Sequence, residues 1–196
     1  MKQVQIPLNV PNALSLYRLF SFPFIMIFIF LGHERLFAFF IWFNLTTDIL
    51  DGWIARKLNQ VSDAGIMLDG LADTGTYILA ITGMFQFKWP DIQPYVTWFI
   101  IFVFMLLSAR IYTLIRFKRF YGFQTYGGKT AAYIHGIFFI VLFFFGFYKW
   151  FYFLMIISGY LVFAETIVIT AILEKERSNV KGLYWLLREK KLQKRI

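Results

Sequence analysis

The sequence contains no cysteine, which removes disulfide bonds, thiolate metal sites and cysteine nucleophiles from consideration. It is also poor in charge, because only 16% of its 196 residues are charged, against roughly 25% in an ordinary soluble domain. Hydrophobic residues make up 59% of the chain, and 26 residues are phenylalanine. A soluble protein of this length has too little interior to bury so much apolar surface. The composition therefore indicates an integral membrane protein.

The hydrophobic residues fall into six stretches, each close to the ~20 residues that span a bilayer as a helix. They predict an all-α membrane fold with six transmembrane helices, at residues 19–31, 36–54, 66–87, 96–115, 130–148 and 151–173. We expect one domain over residues 1–196, in which residues 1–18 form an interfacial segment and residues 174–196 form a basic cytoplasmic tail with an interfacial helix.

The distribution of Lys and Arg predicts the orientation in the membrane. The formal net charge is +9, which in so apolar a chain indicates contact with anionic lipid headgroups and no nucleic-acid partner. Basic residues are sparse in the turns after the first, third and fifth stretches and frequent in the alternate loops and the tail. By the positive-inside rule, both termini are expected to face the cytoplasm.

Four aspartates lie inside two of the predicted helices, where a charge costs at least ~2.5–3.5 kcal/mol. Asp48 and Asp51 are three residues apart, and Asp69 and Asp73 are four apart, so each pair shares one helix face. The short turn at residues 58–64 makes the two helices antiparallel neighbours. We therefore expect the two acidic faces to converge near the cytoplasmic ends of these helices.

Carboxylates brought so close together repel one another unless cations lie between them. Oxygen ligands without neighbouring His or Cys favour Mg²⁺, Mn²⁺ or Ca²⁺, and two such ions suit phosphoryl transfer. The small residues Gly52, Ala55 and Gly65 would let a large substrate approach the helix backbone, and Arg56 suits a diphosphate. The alternative is a structural network of ion pairs, for which the expected cations are Arg56, Arg110 and Lys129.

The spacing of these residues is that of a known signature. The pattern Asp48-x2-Asp51-Gly52-x2-Ala55-Arg56-x8-Gly65-x3-Asp69-x3-Asp73 resembles the motif of the CDP-alcohol phosphotransferases, and the six-helix hydropathy pattern is similar to theirs. The resemblance implies a homodimeric enzyme of a bacterial cytoplasmic membrane, with its active site on the cytoplasmic side. Such an enzyme transfers a substituted phosphate from a CDP-linked lipid donor to an alcohol and releases CMP.

The resemblance also implies roles for individual residues. Asp48, Asp51 and Asp69 would bind two divalent cations, Mg²⁺ or Mn²⁺. Asp73 would lie at the same metal site and act as the general base. The CDP donor would be bound by a group of five residues, namely Asp51, Gly52, Ala55, Arg56 and Gly65.

The acceptor is predicted from the amino-terminal residues and the basic cluster. The opening from Val10 to Arg18, with Pro11-Asn12, resembles that of phosphatidylglycerophosphate and cardiolipin synthases. We therefore expect a small phosphorylated alcohol, glycerol 3-phosphate first, bound by Arg110 and Lys129. Phosphatidylglycerol, inositol phosphate and other alcohols stay open as acceptors.

Two other classes of protein use intramembrane carboxylates. An intramembrane prenyltransferase holds a diphosphate with acidic pairs and Mg²⁺, but typically has more helices and two acidic motifs far apart in sequence. A divalent-cation transporter would place its acidic site near mid-membrane, commonly within internal repeats, and no repeat is apparent here. Outside the motif, His135 is expected to be a packing residue, and Glu165 to bond a neighbouring helix.

Overall fold

The computed structural model of the protein describes residues 9–58, 60, 62–118, 123, 125–173 and 180–193. The side chains of five residues within these ranges are not described, namely Arg56, Asp63, Ala64, Ile66 and Gln193. The predictions for residues 1–8, for the tail at 174–179 and 194–196, and for the Arg56 side chain therefore lie outside the described residues.

The described residues form helices and connecting turns, with no strand among them, so the predicted all-α fold is confirmed. The first three helices are α1 (Val10–Phe30), α2 (Glu34–Lys57) and α3 (Asp63–Phe87). A short α4 (Trp89–Ile92) and a 3₁₀ turn (Gln93–Tyr95) lead into α5 (Val96–Phe117). The remaining helices are α6 (Tyr126–Phe144), α7 (Lys149–Ile172) and α8 (Leu183–Gln193).

Within the described ranges, four segments are long and apolar enough to cross a membrane: Val10–Phe30, Trp89–Phe117, Tyr126–Phe144 and Lys149–Ile172. Only 22–33% of the residues in their apolar windows are buried inside the protein, as expected for helices that face lipid. The chain is thus a multi-pass membrane protein. Helices α2 and α3 have 24 and 25 residues, but polar residues, including the four aspartates, interrupt their apolar surface. The count of six spans stays a prediction.

Helix α1 begins well before the predicted start of the first span. The Asn9 side chain accepts a hydrogen bond from the backbone N–H of Asn12 at 3.0 Å, and Pro11 lies in the first turn. Both features favour a helix start at this point. Residues 10–18 therefore belong to the same helix as the apolar stretch, and the interfacial location of residues 1–18 stays a prediction.

The chain divides into two compact units, and it passes from one to the other after α4, within α6 and before α7. The first unit contains α1 to α4 and residues Phe139–Gly146. In it α1 packs against both α2 and α3, with Ile25, Phe37 and Leu79 fully buried. An ion pair of 2.6 Å between Glu34 and Lys88 joins the start of α2 to the residue after α3. This pairing shows that the two helices run antiparallel.

The second unit contains α5, the first part of α6, α7 and α8. Helices α5 and α7 pack closely, since a Cβ at Gly159 would overlap the ring of Phe102. The hydroxyl groups of Thr113 and Thr170 lie 3.1 Å apart across this interface. Helix α8 packs through Leu186 against Ile169 near the end of α7.

Candidate active site

Helix α1 presents one polar face to the interior of the first unit. Asn12, Ser15 and Arg18 follow one another at intervals of three residues, and each is only 2% exposed. The helical period brings them to the same side of an otherwise apolar helix. The hydroxyl of Ser15 lies 3.1 Å from Oδ2 of Asp51, to which it donates a hydrogen bond. The polar face of α1 is therefore turned toward the acidic face of α2.

The guanidinium of Arg18 contacts all four aspartates. Its Nη1 donates to Oδ1 of Asp48 and to Oδ1 of Asp73, each at 2.7 Å. Its Nη2 donates to Oδ2 of Asp51 at 2.6 Å and to Oδ1 of Asp69 at 2.7 Å. The four Nη hydrogens thus serve four carboxylates from two helices. The structure brings together the acidic faces of α2 and α3, as their spacing predicts, with a residue of α1 between them.

The cations predicted to pair with these aspartates, Arg56, Arg110 and Lys129, did not include Arg18, so the predicted set was incomplete. Arg18 is 30 residues from Asp48 and 55 from Asp73 in sequence, and helical periodicity relates only near neighbours. The signal that could have found it is the interval of three between the polar residues of α1. A buried arginine within an apolar helix requires carboxylate partners, because an unpaired charge is too costly there.

The five side chains differ in exposure. Arg18 is fully buried and the side chain of Asp51 is 3% exposed, whereas those of Asp48, Asp69 and Asp73 are 39%, 42% and 44% exposed. The guanidinium and Asp51 therefore form the inner wall of the site. Three carboxylates are accessible from the other side, where a ligand can approach.

The carboxylates fit a divalent cation. One oxygen each of Asp48, Asp51 and Asp69 lie within 4.8 Å of one another, a spacing that can hold a metal ion. Four ionised carboxylates and one guanidinium carry a formal charge of −3. Clustered oxygen ligands with excess negative charge suit Mg²⁺ or Mn²⁺.

Gly65 lies at the first turn of α3 against the side chain of Asn12. A Cβ at position 65 would lie 2.7 Å from Oδ1 of Asn12 and 3.1 Å from Oγ of Ser62. Ser62 is the N-cap of α3, and its Oγ accepts a hydrogen bond from the backbone N–H of Gly65 at 3.0 Å. The glycine is therefore required for close packing of α1 on α3, whatever it also contacts in a substrate.

The other residues predicted to bind the CDP donor lie on α2 beside the aspartates. Gly52 and Ala55 are half-buried, one and four residues after Asp51. Position 56 belongs to the same helix, but the Arg56 side chain is outside the described part of the structure. The donor-binding roles stay predictions.

Among the described residues, the side-chain amide of Asn44 is buried near the site without a hydrogen-bond partner. Asn44 lies one helical turn before Asp48 on α2 and is fully buried. In the described part of the chain, neither its Oδ1 nor its Nδ2 has a hydrogen-bond partner, and the same holds for Nε of Arg18. Asn44 was not among the predicted site residues, although an amide within a predicted transmembrane stretch is itself a signal.

The residues predicted to bind the acceptor belong to the second unit. Arg110 on α5 and Lys129 in the first turns of α6 are both exposed, and their role stays a prediction. His135 is buried, and its Nε2 lies 3.1 Å from the carbonyl oxygen of Met155 and 3.2 Å from Oγ of Ser158. These contacts agree with a role in helix packing.

Glu165 on α7 connects three helices of the second unit. Its Oε1 accepts a hydrogen bond from the backbone N–H of Leu183 at 2.9 Å, which caps the N-terminus of α8. Its Oε2 would lie 3.1 Å from a Cβ at Gly127, so α6 approaches the same carboxylate. A carboxylate at this place satisfies a free N–H group and complements the helix dipole.

Fold and site together define a multi-pass membrane protein with an acidic site suited to divalent cations. The family model described as CDP-alcohol phosphatidyltransferase matches residues 8–172. The chain therefore belongs to the CDP-alcohol phosphatidyltransferase family, which favours group transfer over the prenyltransferase and transporter alternatives. No solved structure matches the chain.

Curated relatives match parts of the chain. It is 35% identical over 108 residues to the CDP-diacylglycerol–glycerol-3-phosphate 3-phosphatidyltransferase of Aquifex aeolicus, over 55% of this chain and 57% of the relative. It is 40% identical over 80 residues to the protein of that name from Wigglesworthia glossinidia brevipalpis. This match covers 39% of this chain and 42% of the relative. A cardiolipin synthase (CMP-forming) / mitochondrial hydrolase fusion protein of Schizosaccharomyces pombe is 39% identical over 77 residues, 37% of this chain and 13% of the relative. The chain spans about half the length of the first two.

Proposed function

We propose that the protein transfers the phosphatidyl group of CDP-diacylglycerol to an alcohol, with glycerol 3-phosphate as the acceptor and CMP as the second product. The observation that carries this proposal is the meeting of four carboxylates around Arg18, three of them accessible to a ligand. Family membership supports the reaction class. The two relatives named as glycerol-3-phosphate phosphatidyltransferases support the acceptor.

The proposed chemistry divides the aspartates into two roles. Asp48, Asp51 and Asp69 would hold two divalent cations, Mg²⁺ or Mn²⁺, with Asp73 at the edge of the same site. Cations held there would offset the negative charge of the diphosphate and of the departing CMP. Asp73 accepts the proton of the acceptor hydroxyl as its oxygen bonds to the phosphorus that carries diacylglycerol. The P–O bond between that phosphorus and CMP breaks.

Charge supports this division. The formal −3 of the aspartates and Arg18 becomes +1 with two divalent ions, which matches an anionic diphosphate donor. In the proposed complex the diphosphate lies along α2 at Gly52 and Ala55, beside Asp51. Arg56 would supply a further cation, and Gly65 lies in the first turn of the facing helix α3.

The acceptor distinguishes this proposal from its nearest alternative. Glycerol 3-phosphate brings about two further negative charges, which Arg110 and Lys129 would bind. Phosphatidylglycerol, the acceptor expected of a cardiolipin synthase, is the second candidate, because one relative is named as a cardiolipin synthase fusion protein. CMP release by the purified protein with Mn²⁺ and CDP-diacylglycerol should be compared for glycerol 3-phosphate, phosphatidylglycerol, inositol, inositol phosphate and serine. Preference for any acceptor other than glycerol 3-phosphate would contradict the assignment.

We also propose an arrangement of the protein in the membrane. Helices α2 and α3 complete six spans, both termini and the site face the cytoplasm of a bacterial inner membrane, and the enzyme is a homodimer. The absence of native cysteine allows a clean test of sidedness. A cysteine replacing Leu58, exposed after α2, should react with an impermeant thiol reagent only from the cytoplasmic side. A cysteine replacing His33 should react from outside, and the reverse pattern would invert the topology.

A further inference from the structure

Arg18 has a position that the proposed reaction does not by itself explain. The metal ions would supply positive charge to the aspartates, yet a guanidinium already contacts each of the four at 2.6–2.7 Å. It comes from α1, outside the acidic motif of α2 and α3. Its side chain is fully buried, on the inner side of the carboxylates.

This cation is permanent. A guanidinium does not lose its proton in proteins, and its planar fork can bind several carboxylates at once. The occupancy of the divalent cations would depend on their concentration, whereas Arg18 is always present because it is part of the chain. Without it the four carboxylates would carry a formal charge of −4, and repulsion would push the acidic faces of α2 and α3 apart.

We propose that Arg18 is a positioning residue, a resident cation that keeps the four carboxylates together before divalent ions bind and that weakens the binding of those ions. The inference rests on the metal site of the proposed function. The proposal specifies the direction of the effect on metal affinity. A positive charge close to the site repels a divalent cation and weakens its binding, whereas a residue that merely orders the ligands strengthens binding. The benefit is a site that is already assembled when metal and donor arrive.

The test is the thermal stability of the purified protein in detergent, first in EDTA and then over a titration with Mn²⁺. In the wild type, Tm should rise with the free Mn²⁺ concentration, and the concentration at which the rise begins reports the affinity. In Arg18→Met, Tm in EDTA should fall, and the rise should begin at a Mn²⁺ concentration at least about tenfold lower. Arg35→Met is the matched control, since it removes the same charge from an exposed position at the start of α2 and should change neither quantity.

A role in packing alone gives a different result. Arg18→Met would then lower Tm equally at all Mn²⁺ concentrations and leave the onset of the Tm rise unchanged, which would overturn the proposal. An onset moved to a higher Mn²⁺ concentration would overturn it as well. A wild-type Tm that does not change with Mn²⁺ or Mg²⁺ would instead contradict the proposed metal site. The Tm values of the wild type and of Arg18→Met in EDTA would still test whether Arg18 keeps the carboxylates together.

A second variant covers the case in which Arg18→Met does not fold. The double variant Arg18→Met/Asp73→Asn removes one charge of each sign and restores the formal −3. Its Tm in EDTA should recover toward that of the wild type if repulsion is the cause. A double variant as unstable as Arg18→Met would show that lost packing, and no charge imbalance, destabilises the site.

Discussion

The shortest contact in the site joins Nη2 of Arg18 to Oδ2 of Asp51, at 2.6 Å, and both side chains are buried. The same oxygen accepts a hydrogen bond from Ser15. The other three carboxylates meet the guanidinium at almost the same distance but are about two-fifths exposed. Loss of the Asp51 carboxylate should therefore destabilise the fold most. The other three carboxylates can take part in the reaction, and their loss should destabilise the protein less.

The first prediction concerns stability. Asp51→Asn should lower the free energy of unfolding by about 1.5–3 kcal/mol, since a buried hydrogen bond to a charged group is lost. Thermal or denaturant unfolding in EDTA measures this without interference from metal. Asp91→Asn, the same substitution at an exposed position of α4, is the control and should have no effect. An Asp51→Asn variant as stable as the wild type would show that the remaining three carboxylates are sufficient partners for Arg18.

Asp73→Asn should separate catalysis from stability. We expect turnover to fall by about 10²–10⁴-fold, because the acceptor hydroxyl loses its base, while affinity for the CDP donor stays near normal. Stability should be unchanged or slightly higher, since one of four repelling carboxylates is removed from a half-exposed position. CMP release and donor binding measured on the same preparation decide the matter. Near-normal turnover would remove Asp73 from the role of base.

The contact between Asn12 and Gly65 predicts an energetic coupling. Gly65→Ala places a methyl group 2.7 Å from Oδ1 of Asn12, so the amide must move and the variant should be destabilised. In an Asn12→Ala background the same substitution should cost less, although Ser62 Oγ stays close. A double-mutant cycle on unfolding should therefore give a coupling energy of about 0.5–3 kcal/mol. Additive effects would show that the two side chains do not constrain each other.

Asn44 offers a substitution that should increase stability. Its buried amide lacks a partner among the described residues, and desolvating such a group costs about 1–3 kcal/mol. Asn44→Leu, of similar size, should therefore raise Tm. Asn12→Leu is the matched comparison and should lower Tm, because the buried Asn12 side chain lies close against Gly65 at the start of α3 and is not without a partner. A fall in Tm for Asn44→Leu would indicate that the amide is satisfied in the membrane-embedded protein.

The acceptor assignment predicts a selective kinetic effect. Arg110→Ala should raise KM for glycerol 3-phosphate by about tenfold or more, since a charge-assisted contact to phosphate is lost, and change KM for the donor much less. Arg35→Ala, on α2, serves as the control for loss of one exposed positive charge. Equal effects on both KM values would assign Arg110 to a general electrostatic or structural role.

Prediction from the sequence was accurate where the cause is local. Long apolar stretches form helices in a bilayer because every backbone group must be paired, so composition alone indicated the fold class. The faces that carry Asp48 with Asp51 and Asp69 with Asp73 follow from helical periodicity over three or four residues. The turn between α2 and α3 is too short for any arrangement except antiparallel neighbours.

What the sequence by itself determined is therefore the membrane class, the helices and the two acidic faces, because each depends on residues near one another in the chain. Only the tertiary structure decided which cation lies between those faces, since Arg18 enters from a helix 30–55 residues away. It likewise decided that Gly65 makes room for Asn12 and that Glu165 caps α8. Such contacts depend on how helices pack, and packing is set by the shapes and charges of side chains that the linear order does not bring together.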